Sequence, residues 1–147
     1  MTVAIEPSDA RVLIADDDDS LRQAVRELLE DQRFVVVGEA VDGADAVSKA
    51  LALQPDVILI DLRMPDVDGI EATRRIKAQL PTIQVVMLSA YGDPGLIAAA
   101  ETAGVYAYLV KGCSADLIRH VLNSAFTFKV GQAQRRAEGR PDVQDLA

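Results

Sequence analysis

Residues 57–61 read Val57-Ile58-Leu59-Ile60-Asp61: four apolar β-formers in a row, then a carboxylate. The run is too short for a free-standing helix and reads as a strand buried on both faces, the kind found in parallel sheets. Charged side chains are almost never fully buried unpaired, so Asp61 belongs where the strand opens into a crevice at its carboxyl edge. In open α/β sheets that edge is where ligands bind. The same grammar recurs on either side. Val12-Leu13-Ile14-Ala15 runs into Asp16-Asp17-Asp18-Asp19, Val85-Val86-Met87-Leu88 ends in Ser89, and the strand expected over 105–110 ends in Lys111. A further strand, Phe34-Val35-Val36-Val37, is closed by Gly38.

Between these runs the apolar residues recur at helical spacing. Leu21, Val25, Leu28 and Leu29 form one stripe, with Asp19 and Ser20 as its expected cap. Ala46, Val47, Ala50 and Leu51 form the next, stopped by Pro55. Ile70, Thr73, Ile76 and Leu80 follow, then a helix over 94–103 ended by Gly104, and finally Leu117, Ile118, Val121, Leu122 and Ala125. Strands alternate with helices five times. Such alternation means an α/β fold, a doubly wound parallel five-stranded sheet with helices on both faces. The pattern alone leaves the strand order open.

The 147 residues suffice for one domain with a real core, and their composition, 50% apolar and 26% charged, is ordinary for a globular chain. The net charge of −8 argues against direct nucleic-acid binding, which needs a basic footprint. Cys113 is the single cysteine, so no internal disulfide forms, and a reducing cytoplasm fits. Residues 1–10 read as a flexible leader without signal-peptide features, and no stretch reaches the ~18 consecutive apolar residues of a membrane span. The domain is expected over 11–127, with a loose polar tail over 128–147 and no output domain.

A parallel sheet gathers its carboxyl ends on one edge, so Asp16, Asp17, Asp61, Ser89 and Lys111 converge there. Carboxylates held close together raise one another's pKa values unless a cation sits among them. A hard divalent ion such as Mg²⁺ is the expected remedy, because it takes oxygen ligands and keeps positions open for water or phosphate. Lys111 adds a mobile positive charge and Ser89 a hydroxyl donor. Together they suit a phosphoryl group, with an aspartate as nucleophile.

The chain resembles the receiver domain of bacterial two-component response regulators across residues 11–127. The resemblance rests on Leu13-Ile14-Ala15-Asp16-Asp17, Asp61-Leu62-Arg63-Met64-Pro65-Asp66-Val67-Asp68-Gly69, Ser89-Ala90 and Tyr108-Leu109-Val110-Lys111, in that order. It implies a flavodoxin-like (βα)5 fold with strand order 2-1-3-4-5. It also implies Mg²⁺-dependent phosphorylation of Asp61 by a sensor histidine kinase, and auto-phosphorylation and auto-dephosphorylation rather than metabolic catalysis. Mg²⁺ would be held by Asp17, Asp61 and the backbone carbonyl of Arg63, with Asp16 acting through water. Ser89 would donate to the phosphoryl oxygens, Lys111 would pair with them, and Ser89 and Tyr108 would form the switch. The signal would pass through a face made of helix 94–103, strand 105–110 and helix 114–127, to a downstream protein or a second copy of the chain, with no membrane involved. Gly112 departs from the family pattern, which has Pro after the lysine. The wording of Val37-Gly38-Glu39-Ala40 and Gly69-Ile70-Glu71-Ala72-Thr73 is most similar to regulators that carry a C-terminal helix-turn-helix, which residues 129–147 cannot hold.

Plainer readings stand beside these. Asp16–Asp19 also reads as a helix cap with a solvated acidic face, and Asp18 and Asp19 are expected to add repulsion to the cluster. An EF-hand loop is disfavoured because Leu21 stands where glycine is required. Asp66-Val67-Asp68-Gly69 reads as a turn, Cys113 as a small filler and His120 as a solvated helix residue. Tyr106 and Tyr108 alternate onto one strand face. The same edge would also serve a phosphohydrolase or phosphotransferase, or a receiver-like domain that is never phosphorylated and acts by contact alone.

Overall fold

The structure, a computed structural model, describes residues 9–139. Leader residues 1–8 and tail residues 140–147 lie outside them. The order is β1 (Arg11–Ala15), α1 (Asp19–Asp31), β2 (Val35–Ala40), α2 (Gly43–Leu53), β3 (Val57–Ile60), α3 (Gly69–Gln79), β4 (Gln84–Ser89), α4 (Pro94–Ala103), β5 (Ala107–Val110) and α5 (Ala115–Ala137). All pairings are parallel and the strand order is β2-β1-β3-β4-β5.

Period-two alternation splits the core into two layers. Leu13, Ile58, Ile60, Val85 and Met87 face α2, α3 and α4, where Ala46, Ala50, Ile76 and Ala100 meet them. Val12, Ile14, Val57, Leu59, Val86 and Leu88 face α1 and α5, against Leu29, Ile118, Leu122 and Phe126. Each such side chain contributes roughly 1.5–3 kcal/mol on burial, which explains why the central strand carries no polar residue before Asp61. Every helix starts with a side-chain cap: Asp18, Asp42, Asp68, Asp93 and Ser114 accept from the amides of Leu21, Asp45, Glu71, Leu96 and Leu117. A cap of this kind is worth about 1 kcal/mol.

Four boundaries differ from the expectations. The first helix is capped by Asp18, not by Asp19 or Ser20, and Asp19 instead pairs with Arg22. The second strand does not stop at Gly38. A register shift between Val12 and Leu13 skips Val37, and pairing resumes through Gly38, Glu39 and Ala40. The fifth strand begins at Ala107, so Tyr106 precedes it. Tyr106 stacks on Phe128 of α5 while Tyr108 packs into the layer under α4, and the two tyrosines do not share a face.

The last helix runs to Ala137, past the expected end near 127, so residues 128–137 are helical rather than loose. Apart from Val130, which packs against the α1/α5 layer, its second half is held by polar contacts. Lys129 Nζ lies 2.8 Å from the Asp56 carboxylate, and the wholly buried Gln132 accepts from Gln84 Nε2 at 2.9 Å. Asp56 also accepts the Arg11 amide at 2.8 Å, tying β1, β3 and α5 together at the amino edge of the sheet. No peptide bond among the described residues is cis, and Gly112 takes a φ of 96°, open to glycine without strain.

Candidate functional site

The opposite, carboxyl edge gathers the chemistry. Asp16 follows β1 and donates its amide to the Ala40 carbonyl at 3.0 Å, while Asp61 follows β3 and donates to the Ala15 carbonyl at 2.9 Å. These ladder bonds extend the sheet by one residue into the site and leave both carboxylates largely covered, Asp16 6% and Asp61 7% exposed. Asp17 is exposed. One oxygen from each of Asp16, Asp17 and Asp61 lies within 4.8 Å of the others. Behind them, α3 abuts the site so closely that a Cβ on Gly69 would stand 2.2 Å from the Asp61 carbonyl oxygen.

Lys111 reaches in from the end of β5, its ammonium 3.3 Å from Asp61 Oδ1 and 3.5 Å from Asp16 Oδ2. The Lys111 amide donates to the Ser89 carbonyl at 2.7 Å, so β4 and β5 deliver their polar residues together. Ser89 is wholly buried, and its Oγ accepts the Tyr91 amide at 3.1 Å, leaving its own proton to donate elsewhere. The Tyr91 carbonyl accepts the Tyr108 hydroxyl, and the Tyr91 ring lies under the Arg63 guanidinium, 4.9 Å from its centroid. Tyr91 thus links Ser89, Tyr108 and Arg63. All the residues singled out for the edge are brought together, with Arg63 exposed at its rim.

Burial holds the Asp61 carboxyl above the usual carboxylate range. The charge of Asp16 pushes the same way, and Lys111 opposes it. Three carboxylates face one ammonium, and Asp17 leaves the cluster open to solvent. This donor set, oxygen only and short of positive charge, fits a hard divalent cation such as Mg²⁺.

Asp18 and Asp19 add nothing to the cluster. Asp18 turns its carboxylate to the helix amide, and Asp19 turns to Arg22. Among the described residues, no other group of His, Cys, Asp and Glu side chains is arranged to hold a metal. Asp68 caps α3 and Asp66 adopts a positive φ of 65°, so the Asp66–Gly69 segment is the turn it was expected to be. His120 is exposed on α5, and Cys113 packs against the α1/α5 layer.

The family profile of the response regulator receiver domain matches residues 12–123. The chain belongs to this family. As a receiver domain it is 40% identical over 117 residues to the response regulator protein VraR of Staphylococcus saprophyticus, a match covering 79% of this chain and 56% of VraR. It is 36% identical over 115 residues to the chemotaxis protein CheY of Listeria monocytogenes, covering 78% of this chain and 97% of CheY. The signal receiver domain of the putative response regulator NarL of Mycobacterium tuberculosis superposes with a TM-score of 0.73 at 34% identity, covering 80% of this receiver and 96% of that one. A CheY of Borrelia burgdorferi, solved as a CheX–CheY–BeF3–Mg complex, superposes with a TM-score of 0.76 at 26% identity, covering 80% of this chain and 89% of that one. The receiver spans about half the length of VraR and nearly all of the Listeria CheY.

The positions sequence reasoning missed are Arg22 and Glu39. Arg22 donates to the Asp16 backbone carbonyl at 2.7 Å, to Asp19 at 2.6 Å and to Glu39 at 2.9 Å. Its spacing of three from Asp19 was a visible signal. Its other two partners were not: the Asp16 contact goes to a backbone carbonyl, and Glu39 comes into reach through the shifted register of β2.

Proposed function

We propose that this receiver is the Mg²⁺-dependent acceptor of a phosphoryl group on Asp61, taken from the phosphohistidine of a sensor histidine kinase. The observation that supports this most directly is a nearly buried aspartate set between two further carboxylates and a lysine at one sheet edge. The Asp61 carboxylate attacks phosphorus, the bond from phosphorus to the donor nitrogen breaks, and an acyl phosphate forms as the imidazole keeps the electron pair. Asp17, Asp61 and the Arg63 backbone carbonyl would hold Mg²⁺, with Asp16 through water. Bound there, the ion offsets the negative charge that donor and acceptor bring together. The Borrelia CheX–CheY complex, which superposes on this chain and contains BeF3 and Mg, supports the pairing of these two ligand types in a receiver.

Lys111 moves its ammonium from the Asp16 and Asp61 oxygens to the new phosphoryl oxygens, and Ser89 donates its free hydroxyl proton to them. Ser89, Tyr91 and Tyr108 already form one hydrogen-bonded line. Drawing Ser89 toward the phosphoryl group therefore disturbs the Tyr91 amide and the carbonyl that holds Tyr108, and biases the face built from α4, β5 and α5. That face would bind a downstream protein or a second copy of the chain, in the cytoplasm. Its net charge of −8 makes the chain a poor nucleic-acid ligand in its own right. No described helix is long and apolar enough to cross a membrane. The acyl phosphate then hydrolyses slowly on the protein.

Intact mass after incubation with phosphoramidate, with and without Mg²⁺, tests this. Wild type is expected to gain one phosphoryl adduct only with Mg²⁺, and Asp61→Asn to gain none. An adduct on Asp61→Asn, or none on wild type, overturns the proposal. The latter result leaves a receiver fold that acts by contact alone.

A further inference from the structure

We propose that Arg22 is the positioning residue of the acidic cluster, aiming Asp16 and Asp17 at Asp61. This inference rests on the reading of that cluster as a Mg²⁺ site. Arg22 sits one turn into α1 with its side chain only 12% exposed, and its guanidinium makes three hydrogen bonds to three different elements. Nη1 donates to the Asp16 carbonyl at the end of β1, Nη2 to Asp19 at the start of α1, and Nε to Glu39 near the end of β2. Glu39 is itself held from the other side by Arg26, Nη1 to Oε2 at 2.7 Å. The planar fork of arginine suits this task. A lysine ammonium, a single point charge, cannot span three acceptors on three elements.

What the clamp controls is the peptide between Asp16 and Asp17. Asp16 has other restraints: its Oδ1 accepts the Asp18 amide at 2.9 Å and Lys111 lies near Oδ2. Among the described residues the Asp17 carboxylate makes no hydrogen bond or ion pair, so the backbone at 16–17 is the protein's means of placing it. Fixing the Asp16 carbonyl fixes the plane of that peptide, and so narrows the directions from which the Asp17 side chain can reach the cluster. The same guanidinium holds Asp19 away, so the four-acid run presents two carboxylates to the site instead of three. The skipped residue in β2 belongs to this device, since it brings Glu39 into reach.

Charge and positioning predict opposite signs. If Arg22 acted only as a nearby positive charge, removing it would tighten Mg²⁺ binding and replacing it with lysine would change nothing. As a positioning residue it should behave like other groups that orient metal ligands from behind, whose loss weakens metal affinity about 10–100-fold. The test is isothermal titration of Mg²⁺ into the full chain as wild type, Arg22→Lys and Arg22→Gln, with melting temperatures to confirm folding. The expected result is a Kd raised about tenfold or more in both variants, with melting temperatures near that of wild type. An unchanged Kd in Arg22→Lys, or a tighter one in Arg22→Gln, overturns the assignment of Arg22 and leaves the Mg²⁺ site standing. Absence of Mg²⁺ binding by wild type overturns both. Should the Arg22 variants fail to fold, Glu39→Gln, which loosens the clamp while leaving Arg22 in place, is expected to raise the Kd several-fold, and an unchanged value counts against the clamp.

Discussion

Asp61 combines burial with charge in a way that Lys111 does not fully relieve. Its carboxyl lies above the usual range because burial, then Asp16, disfavour ionisation more than Lys111 favours it. The folded chain therefore binds this proton more tightly than the unfolded chain. The resulting destabilisation is absent below the unfolded carboxylate pKa and complete once pH has risen through the higher folded value. Without Mg²⁺, Asp61→Asn is expected to melt a few degrees above wild type at pH 7, with the gap closing as pH falls through the carboxylate range. Parallel thermal melts across that range check it, and an Asn variant less stable at pH 7 contradicts it. Gly69 is constrained in a different way. Gly69→Ala puts a methyl 2.2 Å from the Asp61 carbonyl oxygen and should cost about 1–3 kcal/mol in urea unfolding as α3 shifts away. Asp16, Asp61, Ser89 and Lys111 were legible because each directly follows or ends an apolar run, and Asp17 because it follows Asp16, so strand ends alone bring them to one edge. Arg22 and Glu39 were not, because a polar residue's partner on another strand leaves no trace in local periodicity.

At the scale of elements, the five strands and five helices follow from the alternation of apolar runs and stripes, and the side-chain caps mark where helices begin. α5 is the exception. The ion pair between Lys129 and Asp56 and the hydrogen bond between Gln132 and Gln84 join residues 73 and 48 positions apart, and neither adds to an apolar stripe. Gln132→Ala leaves the Gln84 amide with only the Thr82 carbonyl and should cost about 1–3 kcal/mol. A chain ending at Phe128 loses both contacts and should be less stable still. Urea unfolding of the two variants checks this. A truncated chain as stable as wild type would show that the second half of α5 is an appendage.

For the whole molecule, sequence alternation specified the two-sided parallel sheet, while the order 2-1-3-4-5 came from the family resemblance, since periodicity carries no information about which strands are neighbours. The sheet has a chemical edge, where Lys111 lies among the acids, and an amino edge tied by Asp56 and Gln84. Lys111→Ala is expected to accept a phosphoryl group on Asp61 while losing the change at the α4–β5–α5 face. NMR shifts of Tyr108 and α4 before and after phosphoramidate, in both proteins, check it. Equal changes in the two proteins would remove Lys111 from the switch.

A helix of 23 residues is about 35 Å long. α5 begins four residues after Lys111, passes its fastenings at Lys129 and Gln132, and ends five residues beyond them. It is a ruler laid across the domain with one end beside the chemistry and the other clamped to the far rim. A dye on exposed Asp116 would read the site, and the same dye on exposed Ala137 would read the anchored end. The molecule carries its own reference channel, so a difference signal between two singly labelled samples separates phosphorylation from drift, temperature and aggregation.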